Sequence, residues 1–497
     1  MKRILILAIG LALCAIPALD LSAKDYYATD FGAVADGVTL NSASIQAAID
    51  YASAQGGGRV VLTRGNFVCG SIYLKTGVTL HLEKGSVLQG SLNPWDYVKD
   101  TTVRWTAFIF AINQDRIGIS GKGTVDCRGF QVANQMVAYI HLGLLEDGLS
   151  NDRPNEGNRP ENIHFSKCTN VAVKGITLKN PASWNQQYDQ CRNLLIDGVK
   201  VDAKAYWNND GLDVVDCSDV IVRNCYIDAA DDAYCFKSHR KGGVSENVLV
   251  ENCVGRSSAN GIKFGTFTLG TFKHFRFKNM TIIDTYRSAF TVASVDGASI
   301  EDVEIDGLRS IHTGNPIFIR FASRRPGDSP CLKDIVIKNV YAEVPYEKPD
   351  AGYSYEGPVE DLPRNVCPSA ILGLPNMRIR NVRLENVEIV YPGRADSTYA
   401  YRGSSPAALA AIPELEKSYP EFSNWKEEPA WGFYIRHADG LVFDNVKIKV
   451  AGKDYRPAIV SDDVDGLTLK KVVITQDDAP AGKRQIVVNN TKDFKSE

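Results

Sequence analysis

The sequence predicts an all-β chain wound as a right-handed parallel β-helix, a solenoid with a capping helix at its amino end. Three observations carry this prediction: a strand phrase that returns at intervals of about one coil, a second series of strands between its copies, and an amphipathic segment that precedes both.

The first series opens each time with Asn, Asp or Gly and continues with apolar residues in alternation. Its clearest copies are Asn170-Val171-Ala172-Val173, Asn193-Leu194-Leu195-Ile196, Asp219-Val220-Ile221-Val222 and Asn247-Val248-Leu249-Val250. Their starts recur at a spacing of about 25 residues, within the range of a solenoid repeat. Later copies begin at His274, Ser299, Asp334, Asn381, Gly440 and Gly466. Alternation marks a strand with one buried face, and a period of this size built from strands marks a solenoid of β coils. The second series begins near Ser183, Gly211, Ala233, Gly261, Ala289 and Pro316, and so keeps step with the first. Two or more strands per coil, each paired with its counterpart about 4.8 Å away, make a parallel β-helix. A multi-domain β-sandwich would need hairpin turns such as Asn-Gly between adjacent strands, and these are sparse.

At the amino end, Ser42 to Gln55 places Ile45, Ala48, Ile49 and Ala52 on one helical face and stops at Gly56-Gly57-Gly58. Such a helix covers the first coil, whose bare edge would otherwise invite aggregation. From about Ala395 to Ala430 the coil phrase vanishes; Ala407 to Ser418 reads as helix, punctuated by Pro413, Pro420 and Pro429. This excursion either walls the cleft or lies on the surface as a plain loop. The division that results is a signal peptide over 1–23, an N-terminal capping module over 24–100, and the β-helix over 101–497 with its insertion near 395–430.

Lys2 and Arg3, the apolar run from Ile4 to Leu19 and the site at Leu21-Ser22-Ala23 have the form of an export signal, which implies a periplasmic or extracellular protein. Cys14 follows Leu13 rather than the small residue a lipoprotein signal needs, so lipidation is not expected. No later stretch is apolar for long enough to span a bilayer. A net charge of −3 argues against a nucleic-acid partner, and protein partners are not readable. No Cys-x-x-Cys pair is present and the seven histidines are scattered, so neither a metal nor another cofactor is called for. Cys168, Cys191 and Cys217 recur at the repeat spacing itself, which favours stacked buried thiols over a disulfide framework.

Asp210 lies in Asn208-Asn209-Asp210-Gly211-Leu212-Asp213, and Asp231-Asp232 precede Ala233-Tyr234-Cys235-Phe236-Lys237. The pair follows Asp210 by one coil length, so both segments occupy the same angular position and three carboxylates crowd together. Like charges that close raise at least one pKa. One acid can then donate a proton to a leaving oxygen while another, ionised, activates water, the division of labour of glycoside hydrolysis. Calcium ligation and polar turn ends are the plainer readings of the same acids.

With these residues the chain resembles glycoside hydrolase family 28, the polygalacturonases and their relatives, over most of its length. Asp30-Phe31-Gly32-Ala33-Val34-Ala35-Asp36-Gly37, Gly56-Gly57-Gly58-Arg59-Val60-Val61 and Gly85-Ser86-Val87-Leu88-Gln89-Gly90-Ser91 look like its amino-terminal module, which other β-helix proteins share. The Asn-x-Asp-Gly-x-Asp phrase followed one coil later by Asp-Asp is far more specific. The resemblance implies an inverting mechanism with Asp231 as general acid and Asp210 and Asp232 activating water.

The chain departs from the family pattern twice. Asn260, in Ala259-Asn260-Gly261, stands where the family carries the histidine of Gly-His-Gly, and asparagine can hydrogen-bond but cannot titrate. Ser288-Ala289-Phe290-Thr291 replaces the Arg-x-Lys that grips a substrate carboxylate. Lys237, Lys263, Arg287 and Arg320 could supply replacement cations, or belong to a solvated basic surface. Arg320 and Arg436, in Ile319-Arg320-Phe321 and Ile435-Arg436-His437, resemble a bacterial subgroup of the family. Asn208 and Asn260 are further candidates for substrate binding, as is Trp184, at a position the family often fills with tryptophan. Tyr206 and Trp207 flank the same coils and serve equally well as packing.

The expected function is hydrolysis of a pectic or related acidic glycan, with exo action suggested by the insertion. A polysaccharide lyase is one rival; it needs cations on the uronate carboxylate and has poor use for three stacked acids. A non-catalytic carbohydrate-binding β-helix is the other, and has no reason to place the acids one coil apart. Asp231→Asn and Asp232→Asn are each expected to abolish most turnover and leave folding intact.

Overall fold

Each corner of the coil needs a backbone that turns left-handed, and the residues found there tolerate it. Asn170, Asn193, Asp219 and Asn247, which open the first-series strands, have φ between +53° and +58°, a region where Asn and Asp pay less than other side chains because they bond locally. The Asn170 and Asn193 side chains also bond each other at 2.6 Å from coil to coil. The computed structural model describes residues 24–497 apart from 151, 326–329, 348, 350–363, 394–396, 478 and 480–483. The expected signal peptide and the start of the insertion at Ala395 therefore lie outside the described residues.

The chain forms a right-handed parallel β-helix. The first-series strands Thr169–Lys174, Arg192–Asp197, Ser218–Arg223 and Val244–Glu251 pair in parallel, so that Val171, Leu194, Val220 and Val248 stack in one buried column. The second series, Gln186–Asp189, Leu212–Val215, Tyr234–Ser238 and Ile262–Thr268, stacks Tyr188, Val214, Phe236 and Phe264 inward. A third series, Thr177–Lys179, Lys200–Ala203, Tyr226–Ala229 and Val254–Ser257, completes each coil. Its strands are only three or four residues long and too short to show an alternation in sequence. Cys168, Cys191 and Cys217 stack as free buried thiols, the Cys191 amide donating to Cys217 Sγ at 3.2 Å.

The helix Ser42–Ala54 covers the first coils with Ile45, Ala48, Ile49 and Ala52 buried. Behind it Gly57, at φ +117°, passes so close to Gly77 that a Cβ would sit 2.6 Å from its carbonyl oxygen. In the insertion the expected helix over 407–418 is instead the short turn Pro406–Ala410, capped by Ser405. Pro413 lacks the amide that would continue the helix and disfavours helical backbone at residue 412.

One column on the outer face of the second sheet positions the site. In register it reads Gln187, Asp213, Cys235, Lys263, Thr291, Phe318, Ala370, Tyr434 and Val460. The face is polar over the early coils and apolar over the later ones. Leu409, Ile412, Phe422 and Trp425 of the insertion pack on Phe318, Ala370 and Tyr434 in a small core of their own. The insertion therefore covers the apolar half of the face and reaches into the polar half with Tyr419, which contacts Lys263.

Candidate active site

The pairing of Leu212 with Tyr234 sets Asp210 beside Asp232 on successive coils. The Gly211 amide donates to the Asp232 carbonyl at 2.8 Å and the Asp231 amide to the Asn209 carbonyl at 3.3 Å, which fixes the step. An oxygen of Asp210, an oxygen of Asp232 and Cys235 Sγ lie within 4.8 Å of one another. This is the one trio of possible metal ligands among the described residues, and Lys237, Lys263 and Asn260 already neutralise or bond its carboxylates.

Strand alternation sends Lys237 and Lys263 outward. Lys237 Nζ donates to Asp210 at 2.9 Å and also to Asp213, with the Trp184 ring 3.5 Å beneath it. Lys263 Nζ donates to Asp232 at 2.6 Å and to the Tyr419 hydroxyl at 2.7 Å. Asn260 gives Asp232 both its backbone amide, at 3.1 Å, and its side-chain amide, at 2.7 Å. The Asn260 Oδ1 in turn accepts from the Ser288 amide and the Thr291 hydroxyl, so the side chain is held on both sides.

These contacts drive the neighbouring acids apart. Burial and the charge of Asp232 raise the pKa of Asp231 above the ordinary carboxyl range, against the pull of Lys263, Arg287 and Lys237. Burial would raise Asp232 too, but the charge and hydrogen bond of Lys263, with the bond from Asn260, outweigh it and hold Asp232 low. Asp210 is pushed up by burial and by its acidic neighbours despite Lys237, and Asp213 rises to about 6, chiefly through burial. A proton held on Asp231 beside an ionised Asp232 is the arrangement that acid and base catalysis requires.

The remaining candidates divide. Arg287 stands one coil beyond Asn260, its amide donating to the Ala259 carbonyl, and its Nε lies 2.8 Å from Glu421 Oε2. Arg320 is buried away from the acids, where it donates to the carbonyls of Leu372, Gly373, Glu414 and Leu415. Arg436 likewise holds the Ile412 carbonyl and Glu414. Both arginines anchor the insertion. Asn208 accepts from the buried Arg159 at 2.7 Å, which braces its turn. Trp184 packs beside Trp105, with ring centroids 5.0 Å apart, and Tyr206 is buried.

Four participants escaped the sequence reading. Asp213 was legible, since alternation from Leu212 turns it outward beside Lys237. Tyr419 and Glu421 reach the site from an insertion 156 residues beyond Lys263 in the case of Tyr419, with no spacing to announce them. Glu156 is hydrogen-bonded with Trp184 and is raised above the ordinary carboxyl range by burial.

The family model described as glycosyl hydrolases family 28 matches residues 59–319, just over half of the chain. The chain belongs to this family. A relative from Vitis vinifera named "Probable polygalacturonase" is 26% identical over 328 residues, 63% of this chain and 59% of that one. The exo-poly-alpha-D-galacturonosidase of Dickeya chrysanthemi is 25% identical over 285 residues, 48% of this chain and 47% of that one. The chain thus spans about half the length of these curated relatives. The exopolygalacturonase structure from Thermotoga maritima superposes with a TM-score of 0.63 at 19% identity, over 86% of this chain and 91% of that one. At that identity the likeness speaks for the fold.

Proposed function

We propose that the protein is an exported glycoside hydrolase that cleaves a pectic polysaccharide or oligosaccharide by inversion, working from a chain end. The observation that carries this reading is the placement of Asp231 and Asp232 one coil from Asp210, with the pKa of Asp231 raised by burial and that of Asp232 lowered by Lys263 and Asn260. Asp231 gives its proton to the glycosidic oxygen as the bond to the anomeric carbon breaks. Water attacks that carbon from the opposite face and passes a proton to Asp232, with Asp210 as its second contact. Exchange with solvent then returns a proton to Asp231 and removes one from Asp232.

Exo action is supported by the insertion, whose Tyr419 and Glu421 reach Lys263 and Arg287 beside the acids, and by the names of the Dickeya and Thermotoga relatives. Residues 1–23 support export. The test is incubation of the purified protein with a panel of pectic and algal oligosaccharides, read by reducing ends and chromatography. New reducing ends released one unit at a time, and absent from Asp231→Asn, are expected. Unsaturated, ultraviolet-absorbing products would instead assign a lyase, and retained sugar affinity without any cleavage would assign a binding protein.

A further inference from the structure

Among the described residues, the cations whose charge acts on Asp231 each face a carboxylate of the protein. Lys237 meets Asp210 and Asp213, Lys263 meets Asp232, and Arg324 meets Asp296 at 2.9 and 3.0 Å. Arg287, one coil past Asn260 and next to the position where the family's carboxylate grip is missing, meets Glu421 at 2.8 Å. Both members of this last pair are shielded, with side chains 12% and 6% exposed.

Tyr419 precedes Glu421 by two residues and differs in character. It is 38% exposed; its hydroxyl is bonded to Lys263, and its ring lies 5.5 Å from the Arg287 guanidinium and 5.7 Å from that of Arg324. The insertion therefore presents a partly exposed aromatic ring, a side chain suited to the C–H side of a sugar, and closes off the guanidinium beside it. A uronate carboxylate arriving here would have to displace Glu421, leaving a buried acid without its counter-charge. An uncharged sugar meets no such obstacle.

We propose that the sugar lodged against Tyr419 is uncharged, and that Glu421 enforces the choice by occupying Arg287. This inference rests on the proposed hydrolysis of a pectic chain and specifies the unit held at the wall. Glu421 is then a specificity determinant that rejects one class of substrate by withholding a cation, a case of selectivity built from what the site refuses.

The test compares rhamnogalacturonan oligosaccharides, in which galacturonate alternates with uncharged rhamnose, with oligogalacturonates, in which every unit is charged. Wild-type protein, Glu421→Gln and Glu421→Ala are assayed on both, with melting temperatures to verify folding. The wild type should favour the alternating substrate in kcat/KM by about tenfold or more, the scale of a single misplaced charge. Both variants should narrow that ratio by gaining on oligogalacturonate. Equal or faster cleavage of oligogalacturonate by the wild type, or a ratio unmoved in both folded variants, would overturn the inference while leaving the hydrolase reading in place. Cleavage of neither substrate would overturn the pectic reading and this inference together.

Discussion

Asp231 and Asp232 are neighbours in sequence whose carboxyls meet opposite surroundings, and their substitutions should separate accordingly. Asp231 makes no ion pair among the described residues and is half-buried, so Asp231→Asn should cut kcat by about 10²–10⁴, the usual weight of an acid or base catalyst, and leave the melting temperature unchanged. Asp232→Asn should lose activity to a similar degree and also unfold more easily, by about 3 kcal/mol, because it strips the buried Lys263 of its counter-charge. The sequence alone led to the expectation of intact folding in both; alternation revealed that Lys263 points outward but not that it touches Asp232. The pH dependence follows from the same contacts. Asp231 must be protonated, so kcat/KM declines as pH rises through its raised pKa; Asp232 must be ionised, so the acid-side decline waits until pH falls through its lowered pKa. Lys263→Met removes the strongest influence holding Asp232 low, and the acid limb of the profile should move to higher pH. An acid limb that stays in place would mean that another group sets it.

At the level of elements, the insertion depends on side chains that contribute nothing to chemistry. Arg320 and Arg436, singled out in sequence as possible substrate cations, spend their donors on carbonyls of residues 372–373 and 412–415 and on Glu414. Arg320→Ala should destabilise the insertion by about 3 kcal/mol, the scale of charged hydrogen bonds left unmade. Faster proteolysis near residues 397–425, with the β-sheet circular dichroism of the coils unaltered, would verify this; unchanged proteolysis would contradict it. The coil strands and the capping helix were legible because periodicity reports burial directly. The insertion's internal geometry was not, since Phe422 and Trp425 bury against strands far away in sequence, and a stretch without period carries no such record. The third sheet escaped for a different reason, its strands being too short for alternation to register.

Across the molecule, the solenoid turns a repeat length into a distance. A separation of one coil along the chain becomes one strand step in space, and acids in unrelated stretches of chain come to lie side by side. The same geometry divides the outer face in two: polar where the coils carry Asp213, Cys235, Lys263 and Thr291, then apolar and packed under the insertion from Phe318 onward. Family membership and fold were both foreshadowed by the acid motif and the strand period, whereas the contacts of Tyr419 and Glu421 emerged only with the insertion in place. In the proposed reaction, water held by Asp210 and Asp232 attacks the anomeric carbon directly while Asp231 protonates the leaving oxygen. Proton NMR of the first product formed from a cleaved pectic oligosaccharide, followed before mutarotation, distinguishes the outcomes: direct attack by water gives an anomeric configuration opposite to that of the bond broken, and a first product that retains the configuration would rule direct attack out.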